Sequence, residues 1–145
     1  MSTKEREEAM NEYGFNTGLL HGTNEKYPQG ATQVPIYQSS AFRHDSAEDL
    51  EKIFENKKMG FSYTRINNPT VESFEKRVTM LEDGIGSVAC ASGMAALTNA
   101  FLNILQAGDE IVAACGLYGG TVELFDDLKP FGISVKYVKE NKPEA

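Results

Sequence analysis

The turn at residues 91–96, ASGMAA, has the residue types that bind a phosphate group. An apolar run precedes it and a helical pattern follows, so Ser92 and Gly93 stand where a helix begins. The first N–H groups of a helix lack partners within it and lie at the positive end of its dipole. Gly93 leaves room for a ligand, and Ser92 adds a hydroxyl donor. The alternative is a plain strand-to-helix turn with Ser92 as its cap, and the turn by itself favours that alternative.

Tyr63 and Arg65 stand two residues apart in the segment 61–66, whose alternating pattern predicts a strand or extended chain. Side chains two apart in an extended segment point the same way, so a phenol and a guanidinium could hold one anion together. The planar fork of Arg suits phosphate oxygens. An exposed strand with one surface Arg and one packing Tyr is an equal alternative from these residues alone.

Tyr118 lies in the loop GLYGGT, residues 116–121, directly after a predicted strand. Open α/β folds bind ligands in the crevice at the carboxyl ends of their strands. The flanking glycines leave one face of the ring free to stack on a planar group. A tyrosine that only anchors a flexible loop is the commoner case for a lone residue of this kind.

Other catalytic motifs are misplaced or incomplete. Residues 84–89 have the G-x-G-x-x-A spacing of a dinucleotide fingerprint, but they precede a predicted strand where that fingerprint must follow one. His21 and His44 have no neighbours at metal-ligand spacing, so we expect no metal site. Ser39 and Ser40 lack a nucleophile elbow, which argues against a hydrolase triad.

Helical periodicity alternates with short apolar runs from Ser46 onward, which predicts an α/β fold with a mainly parallel sheet covered on both faces. The predicted helices are 46 to about 57, 69–82, 94–106 and 121–128, and the predicted strands are 87–91, 110–114 and 133–138. Asn68 and Pro69 suit the cap and first position of the second helix. Closely spaced glycines and prolines before residue 46 predict an extended arm, and residues 140–145 resemble the start of another helix.

The composition describes a soluble domain: 145 residues, 41% hydrophobic and 24% charged. The net charge of -7 argues against general binding to nucleic acid or to an anionic membrane, although the middle of the chain is locally neutral. The apolar stretch 87–105 is interrupted by polar residues and predicts a buried strand and helix rather than a membrane span. Two cysteines without a C-x-x-C pair, and an opening too charged for a signal peptide, predict a cytoplasmic protein with reduced thiols.

Five blocks, in their joint order and spacing, resemble the fold-type I pyridoxal phosphate (PLP) enzymes of Cys/Met metabolism, the transsulfuration family. They are VPIYQSS (34–40), YTRINNPT (63–70), ASGMAA (91–96), GDEI (108–111) and LYGGT (117–121). The resemblance covers nearly all of this chain but only the opening portion of the family's chain. It implies that residues 1–66 form an N-terminal arm with one helix that reaches a neighbouring subunit's site. Residues 67–145 would be the first part of the PLP-binding α/β domain.

The resemblance implies a cofactor-binding set within one subunit, formed by Ser92, Gly93, Met94 and Tyr118. The first three would hold the phosphate of PLP at the helix start, and Tyr118 would lie on the pyridine ring as a catalytic residue. Tyr63 and Arg65 would hold the phosphate of a neighbouring subunit. The enzyme would then be a homo-oligomer, a dimer of dimers, acting on a small-molecule amino acid.

Within the family, residues 43–49 and 63–70 look most like O-acetylhomoserine sulfhydrylases. The resemblance implies a γ-replacement in which acetate leaves O-acetylhomoserine and sulfide or a thiol takes its place, giving homocysteine or methionine. Methionine γ-lyase and cystathionine γ-synthase or lyase share every block and remain alternatives.

The family's Schiff-base lysine lies beyond the part of its chain that this sequence resembles, and the STK triplet at residues 2–4 carries no weight as a replacement. We therefore expect an incomplete chain that is inactive alone. A non-catalytic assembly partner of a longer paralogue, and a phosphate-binding α/β domain unrelated to PLP, are the hypotheses from other classes.

Overall fold

The computed structural model describes residues 14–23 and 26–139, which contain five α-helices, two strands and two short 3-10 helices. The helices are α1 (Phe15–His21), α2 (Ala47–Phe54), α3 (Pro69–Leu81), α4 (Gly93–Ile104) and α5 (Gly119–Leu128); the strands are β1 (Glu110–Ala114) and β2 (Ser134–Val138); the 3-10 helices are Pro28–Gly30 and Lys129–Phe131. The helix predicted at residues 140–145 lies outside the described residues.

The chain divides by packing into two compact units. The N-terminal unit ends at Ala89, and the C-terminal unit begins at Cys90. The boundary predicted at residue 66 rests on a subunit contact rather than on packing within the chain, and it stays a prediction.

Helix α1 lies within the segment that the sequence predicts to be an extended arm. It has seven residues, so the close spacing of glycines does limit its length. Gly22 follows it, and a Cβ there would lie 2.6 Å from the sulfur of Met80 and 2.6 Å from the carbonyl oxygen of Gly18. The missing side chain therefore lets the end of α1 pack closely against α3.

Helix α2 begins as predicted and ends early. The Ser46 hydroxyl oxygen accepts a hydrogen bond from the backbone N–H of Asp49 at 3.1 Å, which caps the first turn. The helix stops at Phe54 rather than near Lys57, because Asn56 adopts a left-handed conformation with φ of 56°. Asparagine tolerates this conformation, which breaks the helical hydrogen-bond series.

Helix α3 confirms the prediction at its N-terminus. The side chain of Asn68 accepts a hydrogen bond from the backbone N–H of Thr70 at 2.8 Å, and Pro69 occupies the first helical position. The helix ends at Leu81, one residue before the predicted end.

The two strands of the C-terminal unit pair in parallel, as predicted, in a register that runs from Glu110 opposite Ser134 to Ala114 opposite Val138. The buried core of this unit consists of Ala113, Phe125, Leu128 and Ile133. Phe101 packs edge-on against Phe125, with ring centroids 5.2 Å apart. Helices α4 and α5 therefore meet over the face of the sheet that carries Ala113.

Three predictions of burial and pairing in this region are wrong. The described residues do not cover the sheet on both faces: both helices pack on the Ala113 face, and Val112 on the opposite face is 67% exposed. Residues 87–91 form no strand, because none of the described segments pairs with them, and Val88 is 85% exposed. Helix α4 is not buried, because its packing partners within the described residues lie on one side only. It ends at Ile104, two residues before the predicted end, because Leu105 adopts an extended conformation with ψ of 147°.

Candidate cofactor-binding site

The start of helix α4 presents free backbone donors. The Ser92 hydroxyl oxygen accepts a hydrogen bond from the N–H of Ala95 at 3.1 Å, and the Ser92 carbonyl accepts one from Ala96 at 3.0 Å. The N–H groups of Gly93 and Met94, in the first turn, have no acceptor within a helix. Ser92 and Gly93 are exposed, and apart from the chain neighbours and the backbone of the same helix no atom of the described residues lies within 4 Å of the place where a Gly93 Cβ would be. The cap that the plain-turn alternative requires is present, and it leaves the donors that an anion needs.

Tyr118 is the last residue of the loop that follows β1 and stands immediately before helix α5. Its carbonyl accepts a hydrogen bond from the N–H of Thr121 at 2.9 Å, which fixes its backbone at the helix start. The side chain is 75% exposed, so a face of the ring is open to a planar group.

Gly120 brings Tyr118 and Met94 together. A Cβ on Gly120 would lie 2.8 Å from Cε1 of Tyr118 and 3.4 Å from Sδ of Met94, so the phenol ring and the thioether approach the same point. The start of α4 and the exposed tyrosine ring are therefore neighbours in one unit. The sequence predicts that the flanking glycines leave a ring face free, and it does not predict this contact.

Tyr63 and Arg65 lie together in the N-terminal unit, but not for the predicted reason. Tyr63 forms an isolated antiparallel bridge with Ala41, and the chain then turns, with the N–H groups of Ile66 and Asn67 both donating to the Tyr63 carbonyl at 2.8 and 3.1 Å. The prediction of an extended segment 61–66 is thus wrong beyond Tyr63. The turn instead places the Arg65 guanidinium carbon 5.4 Å from the centre of the Tyr63 ring, a cation–π contact.

The predicted site residues thus form two groups, one in each unit. Ser92, Gly93, Met94 and Tyr118 are gathered in the C-terminal unit, and Tyr63 and Arg65 in the N-terminal unit. Each of the two sets contains hydrogen-bond donors that could bind a phosphate and one aromatic ring close to them.

The ion pairs with shifted pKa values lie outside both groups. A hydrogen bond from Lys58, at 2.9 Å, lowers the pKa of Asp49. A hydrogen bond from Lys136 lowers the pKa of Glu110, which is the first residue of β1, whereas Tyr118 follows the other end of this strand. Within the described residues, no cluster of three or more His, Cys, Asp and Glu is placed to bind a metal ion, and no helix there combines the length and apolar character of a membrane span.

The geometry defines a class of protein: an α/β fold in which an open helix start lies beside an exposed aromatic ring. Residues 16–145 match the family described as Cys/Met metabolism PLP-dependent enzymes, and the chain belongs to this family. The cofactor of the family is therefore pyridoxal phosphate.

Among curated relatives, the chain is similar to the O-acetyl-L-homoserine sulfhydrylase of Corynebacterium glutamicum, with 44% identity over 92% of this chain and 31% of the relative. It is also similar to the L-methionine gamma-lyase of Treponema denticola, with 37% identity over 93% of this chain and 34% of the relative. The chain thus spans about one third of the length of these relatives and corresponds to their N-terminal portion.

Solved structures give the fold. An O-acetylhomoserine (thiol)-lyase, so described, from Campylobacter jejuni matches with a TM-score of 0.81 and 31% identity over 91% of this chain and 33% of that chain. That structure carries a pyridoxyl-lysine phosphate. A cystathionine gamma-lyase from Lactobacillus plantarum matches with a TM-score of 0.77 and 36% identity over 92% of this chain and 33% of that chain. The fold is that of fold-type I PLP enzymes.

The residues at the start of α4 fit the phosphate of this cofactor. The space beside Gly93 that a side chain would fill is open, and the N–H groups of Gly93 and Met94 border it. The exposed ring of Tyr118 lies next to Met94, where a planar group attached to the phosphate could stack.

Proposed function

We propose that this chain supplies the phosphate-binding part of the active site in an enzyme that replaces the acetate of O-acetylhomoserine with sulfide or a thiol. The products are acetate and homocysteine, or methionine when the thiol is methanethiol. The observation that carries the proposal is the open helix start at Ser92–Met94 beside the exposed Tyr118 ring. The similarity to two O-acetyl-L-homoserine sulfhydrylases, at 44% and 41% identity, supports the choice of reaction.

Ser92, Gly93 and Met94 bind the phosphate in this proposal. The two backbone N–H groups donate to phosphate oxygens, and the dipole of the 12-residue helix favours the negative charge. The Ser92 hydroxyl accepts from Ala95 through its oxygen, so its own hydrogen remains available to donate to the ligand. One side chain thus caps the helix and contacts the cofactor.

Tyr118 holds the planar part of the cofactor and acts as the catalytic residue of this chain. Its ring stacks on the pyridine ring and keeps it over the start of α4, while Gly120 lets the phenol come this close to Met94. When bound, pyridoxal phosphate withdraws electrons from the substrate, which makes proton removal and loss of acetate feasible.

Tyr63 and Arg65 bind the phosphate of a neighbouring subunit, so the active enzyme is a dimer, paired into a tetramer, in the cytoplasm. Residues 1–66 then act as an arm toward that subunit. The guanidinium lies over the Tyr63 ring and offers several N–H donors to phosphate oxygens. Residues in the remaining two thirds of the relatives' length, including the cofactor-binding lysine, complete the site.

Two alternative reactions use the same residues. The similarity to the Treponema denticola L-methionine gamma-lyase favours γ-elimination from methionine, and the fold match to a cystathionine gamma-lyase favours a reaction on cystathionine. A function of a different class is a non-catalytic partner that lends Tyr63 and Arg65 to a longer paralogue.

A chimera tests the reaction. This chain replaces the matching third of the Corynebacterium glutamicum sulfhydrylase, and the purified chimera is assayed with PLP. Homocysteine formed from O-acetylhomoserine and sulfide supports the proposal, whereas an α-keto acid formed from methionine or from cystathionine, without homocysteine formation, favours an alternative.

Variants of the chimera test the residues. Tyr118→Ala should lower the rate and the PLP affinity, while Tyr137→Ala, on β2, should change neither by more than about twofold. A folded chimera that binds no PLP would contradict the proposed site. A folded chimera that binds PLP and catalyses none of these reactions would favour the non-catalytic partner.

A further inference from the structure

Asn68 links two separate segments of the N-terminal unit. It is only 4% exposed, although its side chain is an amide, so burial requires that its polar atoms find partners. The side-chain oxygen accepts from the Thr70 N–H at 2.8 Å. The side-chain nitrogen donates to the Tyr37 carbonyl at 2.9 Å and to the Thr64 hydroxyl at 3.0 Å. The oxygen thus caps α3, and the nitrogen makes two long-range bonds.

Thr64 extends this link to the segment that precedes Ala41. Its hydroxyl donates to the Ser39 carbonyl at 2.5 Å, and its backbone N–H donates to the Ser40 carbonyl at 2.9 Å. The Thr64 hydroxyl therefore accepts from Asn68 and donates to Ser39 at the same time. The turn that contains Thr64 is therefore hydrogen-bonded to Asn68 and to the segment at Ser39 and Ser40.

Thr64 lies between Tyr63 and Arg65, so its position sets theirs. Both neighbours are exposed, and Tyr63 is 42% exposed, which leaves their side chains little packing to hold them. The cation–π contact between them, at 5.4 Å, then depends on the backbone of the turn. That backbone is fixed by the bonds of Thr64 and, through them, by Asn68.

We propose that Asn68 is a positioning residue for the Tyr63–Arg65 pair: its two donated hydrogen bonds fix the turn in which the guanidinium lies over the phenol ring. Asn68 acts through Thr64 and does not contact the cofactor. The inference deepens the proposed function and rests on it in one respect, namely that this pair binds a phosphate.

Asn68→Asp separates the two tasks of this side chain. A carboxylate still accepts from the Thr70 N–H, so the cap of α3 is kept, but it cannot donate to Tyr37 or Thr64. Ser46→Asp is the matched control, because it places the same new charge at the cap of α2. Far-UV circular dichroism of the full chain should show the same helix content in both variants.

Nuclear magnetic resonance gives the decisive readout. In the full chain, the Tyr63 ring should shift the Arg65 side-chain signals upfield, and Asn68→Asp should return them to the positions of a free arginine while Ser46→Asp leaves them shifted. Titration with PLP should show binding weakened by about tenfold in Asn68→Asp only, the size expected when hydrogen bonds that fix a charged group are lost.

A second pair of variants serves if Asn68→Asp fails to fold. Thr64→Val removes the hydroxyl and should abolish the upfield shift of the Arg65 signals. Thr64→Ser retains the hydroxyl and should preserve this shift. An unchanged Arg65 shift in folded Asn68→Asp, or in folded Thr64→Val, overturns the positioning role. A lost shift with unchanged PLP affinity would instead support the positioning role and contradict phosphate binding by the pair.

Discussion

The two units of this chain bury different kinds of side chain. In the described part of the N-terminal unit the buried polar residues are Ser62, Asn68, Ser73 and Thr79, and Met80 is the buried large hydrophobic residue. In the described part of the C-terminal unit the balance is reversed: the core is Ala113, Phe125, Leu128 and Ile133, and Thr121 is the buried polar residue.

This difference indicates that the units hold their candidate site residues by different means. Hydrogen bonds are directional, so the N-terminal unit fixes the orientation of one turn, that of Tyr63 and Arg65. Apolar burial is not directional and stabilises in proportion to area, so the C-terminal unit gains a stable support for the loop of Tyr118 and the start of α4. We expect substitutions to affect stability mainly in the C-terminal unit and orientation mainly in the N-terminal unit.

The largest expected effect is loss of the apolar core. Phe125 is 3% exposed and packs against Phe101, so Phe125→Ala should lower the free energy of unfolding by about 3–5 kcal/mol. Phe131→Ala is the control, because this ring is 66% exposed and its loss should cost less than about 0.5 kcal/mol. Urea denaturation measures both, and equal losses would contradict the assignment of the core.

A smaller effect is expected where the N-terminal unit does use an apolar contact. Gly22→Ala would place a Cβ 2.6 Å from Met80 Sδ and from the Gly18 carbonyl oxygen, so α1 must shift, at a cost of about 1–3 kcal/mol. Gly86→Ala serves as the neutral control, because apart from its chain neighbours no atom of the described residues lies within 4 Å of the added Cβ. Hydrogen exchange should accelerate in α1 of the first variant only; unchanged exchange would mean that α1 does not depend on this contact.

Two matched caps separate stability from binding. Ser92→Ala and Ser46→Ala each remove a hydroxyl that accepts an N–H at 3.1 Å, so each should cost about 1 kcal/mol in thermal unfolding. Only Ser92→Ala should also weaken PLP binding, by about tenfold, because only this hydroxyl would contact the phosphate. Equal PLP affinity in the two variants would argue against the site at the start of α4.

The smallest effect concerns a surface ion pair across the parallel strands. Lys136 lowers the pKa of Glu110 in the folded state, so the unfolded state binds more protons as the pH falls below the ordinary glutamate value of about 4.3. This contribution to stability is complete above that pH and is lost as the pH falls through the folded pKa. Glu110→Gln should remove this part of the pH dependence, which salt should also reduce; an unchanged acid profile would show that the pair contributes nothing.

Much of the fold follows from local signals. The caps at Ser46, Asn68 and Ser92 are set by neighbours in sequence, so pattern predicts them well. The strand predicted at 110–114 is confirmed because residues 134–138 pair with it. The prediction of a strand at residues 87–91 is wrong because a strand needs a partner, and the position of that partner is not a local property of the sequence. The predicted end of α2 is wrong because Asn56 adopts a left-handed conformation, which asparagine permits but does not require.

The candidate site also has features that local sequence predicts and features that depend on tertiary contacts. A capped helix start is a local motif, and the sequence predicts its geometry at Ser92 and Gly93. The bonds from Asn68 to Tyr37 and Thr64 join residues far apart in the chain, so its cap role is predictable and its second role is not. The contact at Gly120 is likewise tertiary; the paired glycines at 119 and 120 are the signal that could have indicated it.

The exposed face of the two-stranded sheet has a consequence for handling the chain. Val112 lies open on β1, and within the described residues each strand has one unpaired edge, so two copies could stack or pair through this surface. Mutual repulsion from the net charge of -7 opposes such self-association near neutral pH. The repulsion vanishes near the isoelectric point of about 4.8, so we expect precipitation there and greatest colloidal stability in mildly alkaline, low-salt buffer.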